Sequence, residues 1–244
     1  MKVHEILERF RRFPAASFDD IAPGTSLILA PHPDDESLGC GGFIAKAVMQ
    51  GRPPVVVFVS DGAASHPGSR LWPPARLALR RQEESRNAAH VLGLSSDRLF
   101  FLGLQDSAVP QAGVIFEKTV EHLLDLAERY YCQNVLVPWL HDPHCDHEAV
   151  WIMGQRLRAL RPDIRLLAYP VWGLTLPPDK EFNERPPTTG WRLNVEAFLH
   201  TKRRAIEAHR SQMGLVVEDD PNGFVLPEHL LEKMLQPYEI FITS

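Results

Sequence analysis

Ser26-Leu27-Ile28-Leu29-Ala30-Pro31-His32-Pro33-Asp34-Asp35-Glu36 passes directly from an apolar run into a histidine and three acids. An apolar run with little alternation reads as a strand buried on both faces, as in parallel sheets. Further runs of this kind occupy Val55–Val59, Leu99–Leu102, Asn134–Val137 and Ile164–Tyr169. Helical patterns lie between them, at roughly Leu38–Gln50, Ala75–Leu92, Val114–Tyr130 and His147–Leu160. Strand–helix alternation predicts a Rossmann-like, three-layer α/β/α fold with a mostly parallel sheet. Such sheets bind ligands at the carboxyl ends of their strands, where His32 to Glu36 would lie.

Outside this frame, Val3, Ile6, Leu7 and Phe10 fall at helical spacing, so residues 1–13 read as an appended amphipathic helix stopped by Pro14. The stretch 177–190 is rich in proline and charge and is expected to be a substrate-binding loop or lid. A strand over Trp191–Val195, a helix over Glu196–Met213 and an edge strand over Tyr238–Ile242 complete a single domain spanning 1–244.

Composition narrows the class. The 244 residues include 44% hydrophobic and 23% charged residues, ordinary for a globular protein. A formal net charge of -5 offers no basic surface for nucleic acid and no polybasic membrane anchor. No apolar run approaches the ~20 residues of a membrane span. Cys40, Cys132 and Cys145 lack CxxC spacing and fit reduced thiols. With no apolar leader after Met1, the expected compartment is the cytoplasm.

Packing three acids and a histidine just past a buried strand is electrostatically unfavourable without a cation. Imidazole plus carboxylate suits zinc, and a turn could aim His32 and Asp35, three residues apart, at one ion. Asp34 would then point elsewhere, free to act on water. The plainer alternative is a turn with helix-capping acids. A second cluster favours the metal: Val135-Leu136-Val137-Pro138 is followed by His141-Asp142-Pro143-His144-Cys145-Asp146-His147. Two strand ends can face each other across one crevice, and one histidine of this cluster would complete a three-ligand site with an open position for water.

Pro31 to Glu36 together with Asp142 to His147 resembles the PIG-L (LmbE-like) deacetylases, which remove acetate from N-acetylglucosamine conjugates. Asp61-Gly62-Ala63, Arg81-Gln82-Glu83-Glu84, Ala88-Ala89, Leu92-Gly93 and Leu102 to Asp106 stand in the family's order, as do Lys202, Ala205, His209, Ser211 and Gln212. The resemblance implies His32, Asp35 and His147 as zinc ligands and Asp34 as general base. It implies His144 as the oxyanion-stabilising histidine, with Asp146 orienting it or its neighbour. Arg81 and Asp106 match positions that bind sugar hydroxyls. The chain departs from the pattern at Cys145, where the family carries proline, and at Asp142, where some sugar-inositol deacetylases carry tyrosine. Cys145 is expected to be an inert residue pointing inward.

By this resemblance, water activated at the zinc attacks the amide carbonyl while Asp34 takes its proton. Zinc and protonated His144 share the oxyanion charge, a donor of this kind being worth ~3 kcal/mol. The leaving amine takes a proton from Asp34 or His144. The partner is a small amino sugar or glycoconjugate; free N-acetylglucosamine, glucosaminyl-inositol, glucosaminyl-malate and glycolipid all fit the same centre. Specificity is expected from loops such as Ser65–Pro74 and 177–190, and a homo-oligomer is compatible with the reading.

Three alternatives stay open: an amidase on a thiol S-conjugate, a 2-His-1-carboxylate non-haem iron enzyme, and a sugar- or nucleotide-binding module. Other conspicuous residues have plainer readings. Gly39-Cys40-Gly41-Gly42 reads as close helix packing, Asp61 as a metal-ligand partner or a cap, and His66 as loop. His209 reads as a structural histidine on a helix with Ile206 and Met213, and Lys202-Arg203-Arg204 as a solvated helix face. Trp72, Trp139 and Trp172 are either sugar-stacking residues or core.

Overall fold

In the computed structural model, which describes residues 1–182 and 189–243, the apolar runs assemble into one eight-stranded sheet. The chain runs through α1 (Val3–Arg11), β1 (Ala15–Ala16), α2 (Phe18–Ile21), β2 (Thr25–Ala30), α3 (Asp35–Met49) and β3 (Val55–Ser60). It continues with α4 (Pro74–Val91), β4 (Leu99–Leu104), α5 (Gly113–Arg129), β5 (Cys132–Pro138), α6 (Cys145–Leu160) and β6 (Arg165–Tyr169). β7 (Gly190–Asn194), α7 (Leu199–Ala208), α8 (Glu228–Met234) and β8 (Tyr238–Thr243) follow.

The strand order is β1-β7-β8-β6-β5-β2-β3-β4. β8 runs antiparallel to β6 and β7, and the remaining neighbours are parallel. Side chains alternate across the sheet and so divide between two cores. Ile28, Ala30, Val56, Phe58 and Leu136 pack beneath α3, α4, α7 and α8. Leu27, Leu29, Val57, Val135 and Val137 pack with α1, α5 and α6 on the other face. This is the three-layer arrangement expected from the sequence. No helix among the described residues is long and apolar enough to cross a membrane.

The crossovers position the site. From β2 the chain moves outward to β3 and β4, then returns to place β5 on the opposite side of β2. The connections leaving β2 and β5 therefore diverge, opening a crevice at their carboxyl ends. Both histidine–aspartate segments stand at that crevice.

The late elements differ from expectation. β8 is an interior strand between β6 and β7 rather than an edge, because its antiparallel entry joins the parallel block to β7. The helix expected over Glu196–Met213 is a 3-10 turn at Glu196–Phe198 followed by α7, which ends at Ala208. Beyond it, Glu84 of α4 takes the backbone N–H and hydroxyl of Ser211 at 2.9 and 2.6 Å, drawing the chain out of the helix. Of 177–190, residues 183–188 lie outside the described ones. Its first part is tied to α1, Val3 and His4 donating to the carbonyls of Lys180 and Pro178.

Lys202 is not solvated. It is 1% exposed and donates to Glu239 of β8 at 2.7 Å, whereas Arg203 and Arg204 face solvent. Glu239 also accepts from the backbone N–H groups of Gly42 and Phe43 at 2.7 Å each. The glycines make this approach feasible. A Cβ at Gly39 would overlap the Tyr169 ring, and one at Gly42 would stand 2.6 Å from Val195 Cβ. Close packing, not phosphate binding, accounts for that stretch.

Removing one member of a buried ion pair strands the other charge at a cost of about 3–5 kcal/mol. Lys202→Met is therefore expected to lower the unfolding free energy by that order in chemical denaturation. The double change Lys202→Met/Glu239→Gln should recover part of the loss, and an unchanged midpoint for the single variant would contradict the pairing.

Candidate metal centre

Asp35 is the first residue of α3, and its carboxylate is the hub of the site. Oδ2 accepts the backbone N–H of His32 at 3.0 Å and lies 3.1 Å from His32 Nδ1 and 3.2 Å from His147 Nε2. His147 belongs to the first turn of α6, so the contact spans the crevice between β2 and β5. Tetrahedral bonds of about 2.0–2.1 Å place their donor atoms ~3.3 Å apart. Both imidazole nitrogens thus stand from Asp35 at the spacing of zinc ligands, the three donor atoms lie within 4.8 Å of one another, and all three residues are buried.

Among the described residues His147 Nε2 is buried without a hydrogen-bond partner, its contact with Asp35 lacking the required geometry. A buried orphan nitrogen is costly unless a ligand completes it. The charges agree. Burial opposes the His147 cation, yet Asp35 and Asp142 outweigh it and raise its pKa to about 9. Burial likewise opposes the His32 cation, but Asp106, Asp146 and Asp35 carry its pKa well above the usual range. The carboxylates around both imidazoles thus favour positive charge at this point, which a divalent cation would also supply.

Each histidine is fixed through its second nitrogen. His147 Nδ1 meets Asp142 Oδ2 at 3.0 Å, and Asp142 also accepts from the backbone of Val171 and Gly173. His32 Nε2 meets Asp146 Oδ2 at 3.2 Å and Asp106 Oδ1 at 3.4 Å. The Asp146 carboxylate therefore faces His32. It is the Asp146 backbone N–H that meets His144, donating to Nδ1 at 3.2 Å. That bond leaves the proton of neutral His144 on Nε2. Burial, reinforced by His32 and His147, lowers the His144 pKa, which favours the neutral ring.

Asp34 does not cap α3 through its side chain, and its backbone takes φ 147° and ψ -27°. A non-glycine residue there is strained and must be held by its surroundings. Glu36 Oε2 accepts the Asp34 N–H at 3.0 Å, and Arg81 donates to the Pro33 carbonyl at 2.6 Å. Arg81 further donates to the Gly62 carbonyl at 2.7 Å and pairs with Asp34 Oδ2 at 3.2 Å. Burial pushes the Asp34 pKa up to about 6 against the pull of Arg81.

The cleft at these groups has a volume of about 420 Å³ and is lined by His32, Asp34, Asp35, Arg81, Asp106, Ser107 and His144. Ala64, Ser65, Pro67, Trp172, Gln212, Asn222 and Phe224 form the rest of its wall. Arg81 and Asp106 thus reach the cleft, although much of each is already engaged: Asp106 Oδ2 accepts from Ala64 N–H at 2.8 Å. None of the described residues of 177–190 lines it, whereas the Ser65–Pro74 loop does.

Other residues fall elsewhere. His141 packs on Trp139 and Phe182, and Trp139 is core. Trp72 stacks with Arg76. Trp172 is the tryptophan at the cleft, 5.6 Å from the Phe224 ring. Asp61 caps its own turn, accepting from Ala63 and Asp106 N–H. His66 lies in a loop, as read from the sequence, and is buried there. Cys145 is exposed rather than inward, because the first residue of α6 faces away from the core.

Two partners were not anticipated from sequence as such. Asp142 departs from the family pattern, and a carboxylate five residues before a candidate ligand is itself a signal. His209 meets Glu36 Oε1 at 3.0 Å and thereby supports the residue that holds Asp34. No local signal joins positions so far apart.

Residues 27–155 match the family described as GlcNAc-PI de-N-acetylase, PIG-L, more than half of the 244 residues. The chain is 30% identical over 129 residues to a diacetylchitobiose deacetylase of Thermococcus kodakarensis, a match covering 52% of this chain. It spans 46% of that relative's length. A zinc-inhibited form of a teicoplanin deacetylase has a similar fold, with TM-score 0.65 and 18% identity over 90% of this chain and 98% of the other. So does 4-carboxy-2-hydroxymuconate hydratase from Pseudomonas putida KT2440, with TM-score 0.61 and 25% identity over 79% of this chain and 81% of the other.

Loss of a carboxylate behind a ligating histidine typically costs 10–100-fold in metal affinity. Asp142→Ala is expected to weaken metal binding by roughly that factor in chelator competition. Unaltered affinity would mean that the His147–Asp142 contact does not serve the metal.

Proposed function

Since the chain belongs to the PIG-L family, we propose that it is a metal-dependent amide hydrolase removing the acyl group from an N-acylated amino sugar of the N-acetylglucosamine type. The observation that carries this reading is the convergence of His32 and His147 on one oxygen of Asp35, with Asp34 and His144 beside them at the same cleft. Two imidazoles and one carboxylate suit zinc with an open position. Bound there, the ion would polarise the amide carbonyl and make water acidic enough to ionise near neutrality.

The chain's own residues account for the remainder. Asp34 takes a proton from the attacking water; its raised pKa suits a group that accepts a proton and returns it. His144 Nε2–H donates to the carbonyl oxygen as charge develops on it, and does so as a neutral ring. As the C–N bond breaks, Asp34 returns the proton to the amine nitrogen. Arg81 keeps the Asp34 loop in place through the carbonyls of Pro33 and Gly62. Asp146 and Asp142 hold His32 and His147 in their ligating tautomers.

The hydratase relative gives a second reading, water addition to an unsaturated acid at the same centre. A screen of N-acetyl amino sugars and their conjugates with zinc-loaded protein separates the two. Equal release of amine and acetate without oxygen is expected. Water addition without amine release, or turnover that requires oxygen, would reject the deacetylase.

Asp34→Asn is expected to retain the metal and lose about 10²–10⁴-fold in turnover, the range for a general base. His32→Ala and His147→Ala should instead lose metal after dialysis, read by elemental analysis. Near-wild-type turnover of Asp34→Asn would remove it from that role.

A further inference from the structure

Cys145 departs from the family's proline and stands exposed at the start of α6, between two residues of the centre. Its Sγ lies 3.6 Å from Asp146 Oδ1 and 3.7 Å from the carbonyl oxygen of Ser107. Tetrahedral bonds of ~2.3 Å to sulfur and ~2.0 Å to oxygen set those atoms ~3.5 Å apart. Donor atoms of His144, Cys145 and Asp146 all fall within 4.8 Å of one another. Ser107 turns both of its backbone groups towards this helix end, its N–H donating to Asp146 Oδ2 at 2.8 Å. Nitrogen, thiol, carboxylate and carbonyl thus converge at one point on the rim of the cleft.

We infer that His144, Cys145 and Asp146, with the Ser107 carbonyl, form a second cation site, selective for a thiophilic divalent ion such as zinc in excess or cadmium. It is distinct from the His32–Asp35–His147 set and shares no donor residue with it. Binding forms a metal–sulfur bond and releases the thiol proton to solvent; no oxidant or reductant is needed. A thiolate next to a carboxylate is unfavourable without a cation, and the ion reverses that balance.

Occupation has a consequence that rests on the function proposed above. To ligate through Nδ1, His144 would give up the Asp146 N–H bond that holds its ring, so that its Nε2–H would no longer be set towards the carbonyl oxygen. Excess thiophilic metal would then inhibit, through a residue that takes no part in the reaction. Cys145→Ser removes the soft donor and leaves the rest of the cluster. Cys145→Pro does so too, and proline is well tolerated at the first position of a helix.

The experiment loads reduced protein with one equivalent of zinc and titrates it with cadmium, following bound metal and the ultraviolet thiolate-to-metal charge-transfer band. In the wild type a second equivalent is expected to bind with that band. Turnover should fall roughly 100-fold, the worth of an oxyanion donor, and return on mild chelation. Cys145→Ser and Cys145→Pro should keep basal turnover, show no band and resist the same excess. A single equivalent, a second one without the band, or equal binding by Cys145→Ser would overturn the site. Binding and band are read without substrate. Should no N-acetyl amino sugar be turned over, the cation site would stand or fall independently.

Discussion

One oxygen of Asp35 lies between imidazole nitrogens from two separate strand ends, and much of the surrounding structure serves to keep it there. Asp35 and His147 belong to loops that meet only because β5 returns beside β2. That return creates the crevice, and the crevice brings His32, Asp34, Asp35, Asp106, Asp146 and His147 out of water together. Such a concentration of acids is unfavourable unless positive charge joins it. Arg81 supplies part of that charge. The histidines, whose pKa values are raised, supply protons where a metal would supply the rest.

Asp34 shows how the same constraint reaches the backbone. Adjacent to a residue fixed on His32 and His147, it adopts a conformation that a side-chain-bearing residue rarely accepts. The cost is met by contacts from three directions: Glu36 on its N–H, Arg81 on the preceding carbonyl, and His209 behind Glu36. Strain held in this way sets Asp34 apart from Asp35 although they are neighbours in sequence. One is turned towards the histidines; the other faces Arg81 and the cleft.

The parallel strands were legible because burial on both faces leaves uninterrupted apolar runs such as Val55–Val59. The two histidine–aspartate segments were legible because histidines and acids cluster visibly after β2 and β5. What escaped the sequence depends on contacts between distant residues. Lys202 looked solvated because it stands beside Arg203 and Arg204, and only the fold reveals Glu239 beneath it. β8 looked like an edge because its weak alternation carries no information about neighbours. Helix α7 ends early because Glu84 claims Ser211, an interaction across 127 positions. Cys145 was misplaced for a smaller reason: burial habits of free cysteine describe cores, not the first turn of a helix at a cleft.

The reaction centre and the rim obey different rules. The centre is built from regular elements, with each side chain held by one or more others. The rim is built from loops whose backbone is tied by carboxylates: Asp219 accepts from Ser69, Arg70 and Leu71, and Asp220 from Gly68. These ties close the Ser65–Pro74 loop against the chain that carries Asn222 and Phe224, and both segments line the cleft. Trp172 and Phe224, with ring centroids 5.6 Å apart, add aromatic surface to the same cleft. A ligand in the cleft would therefore meet charged groups of the centre and an apolar, hydrogen-bonding wall contributed by the loops. Loop substitution can alter the second without disturbing the first. A deacetylase and a hydratase both have a fold similar to this one, as a division between regular elements at the centre and loops at the rim allows.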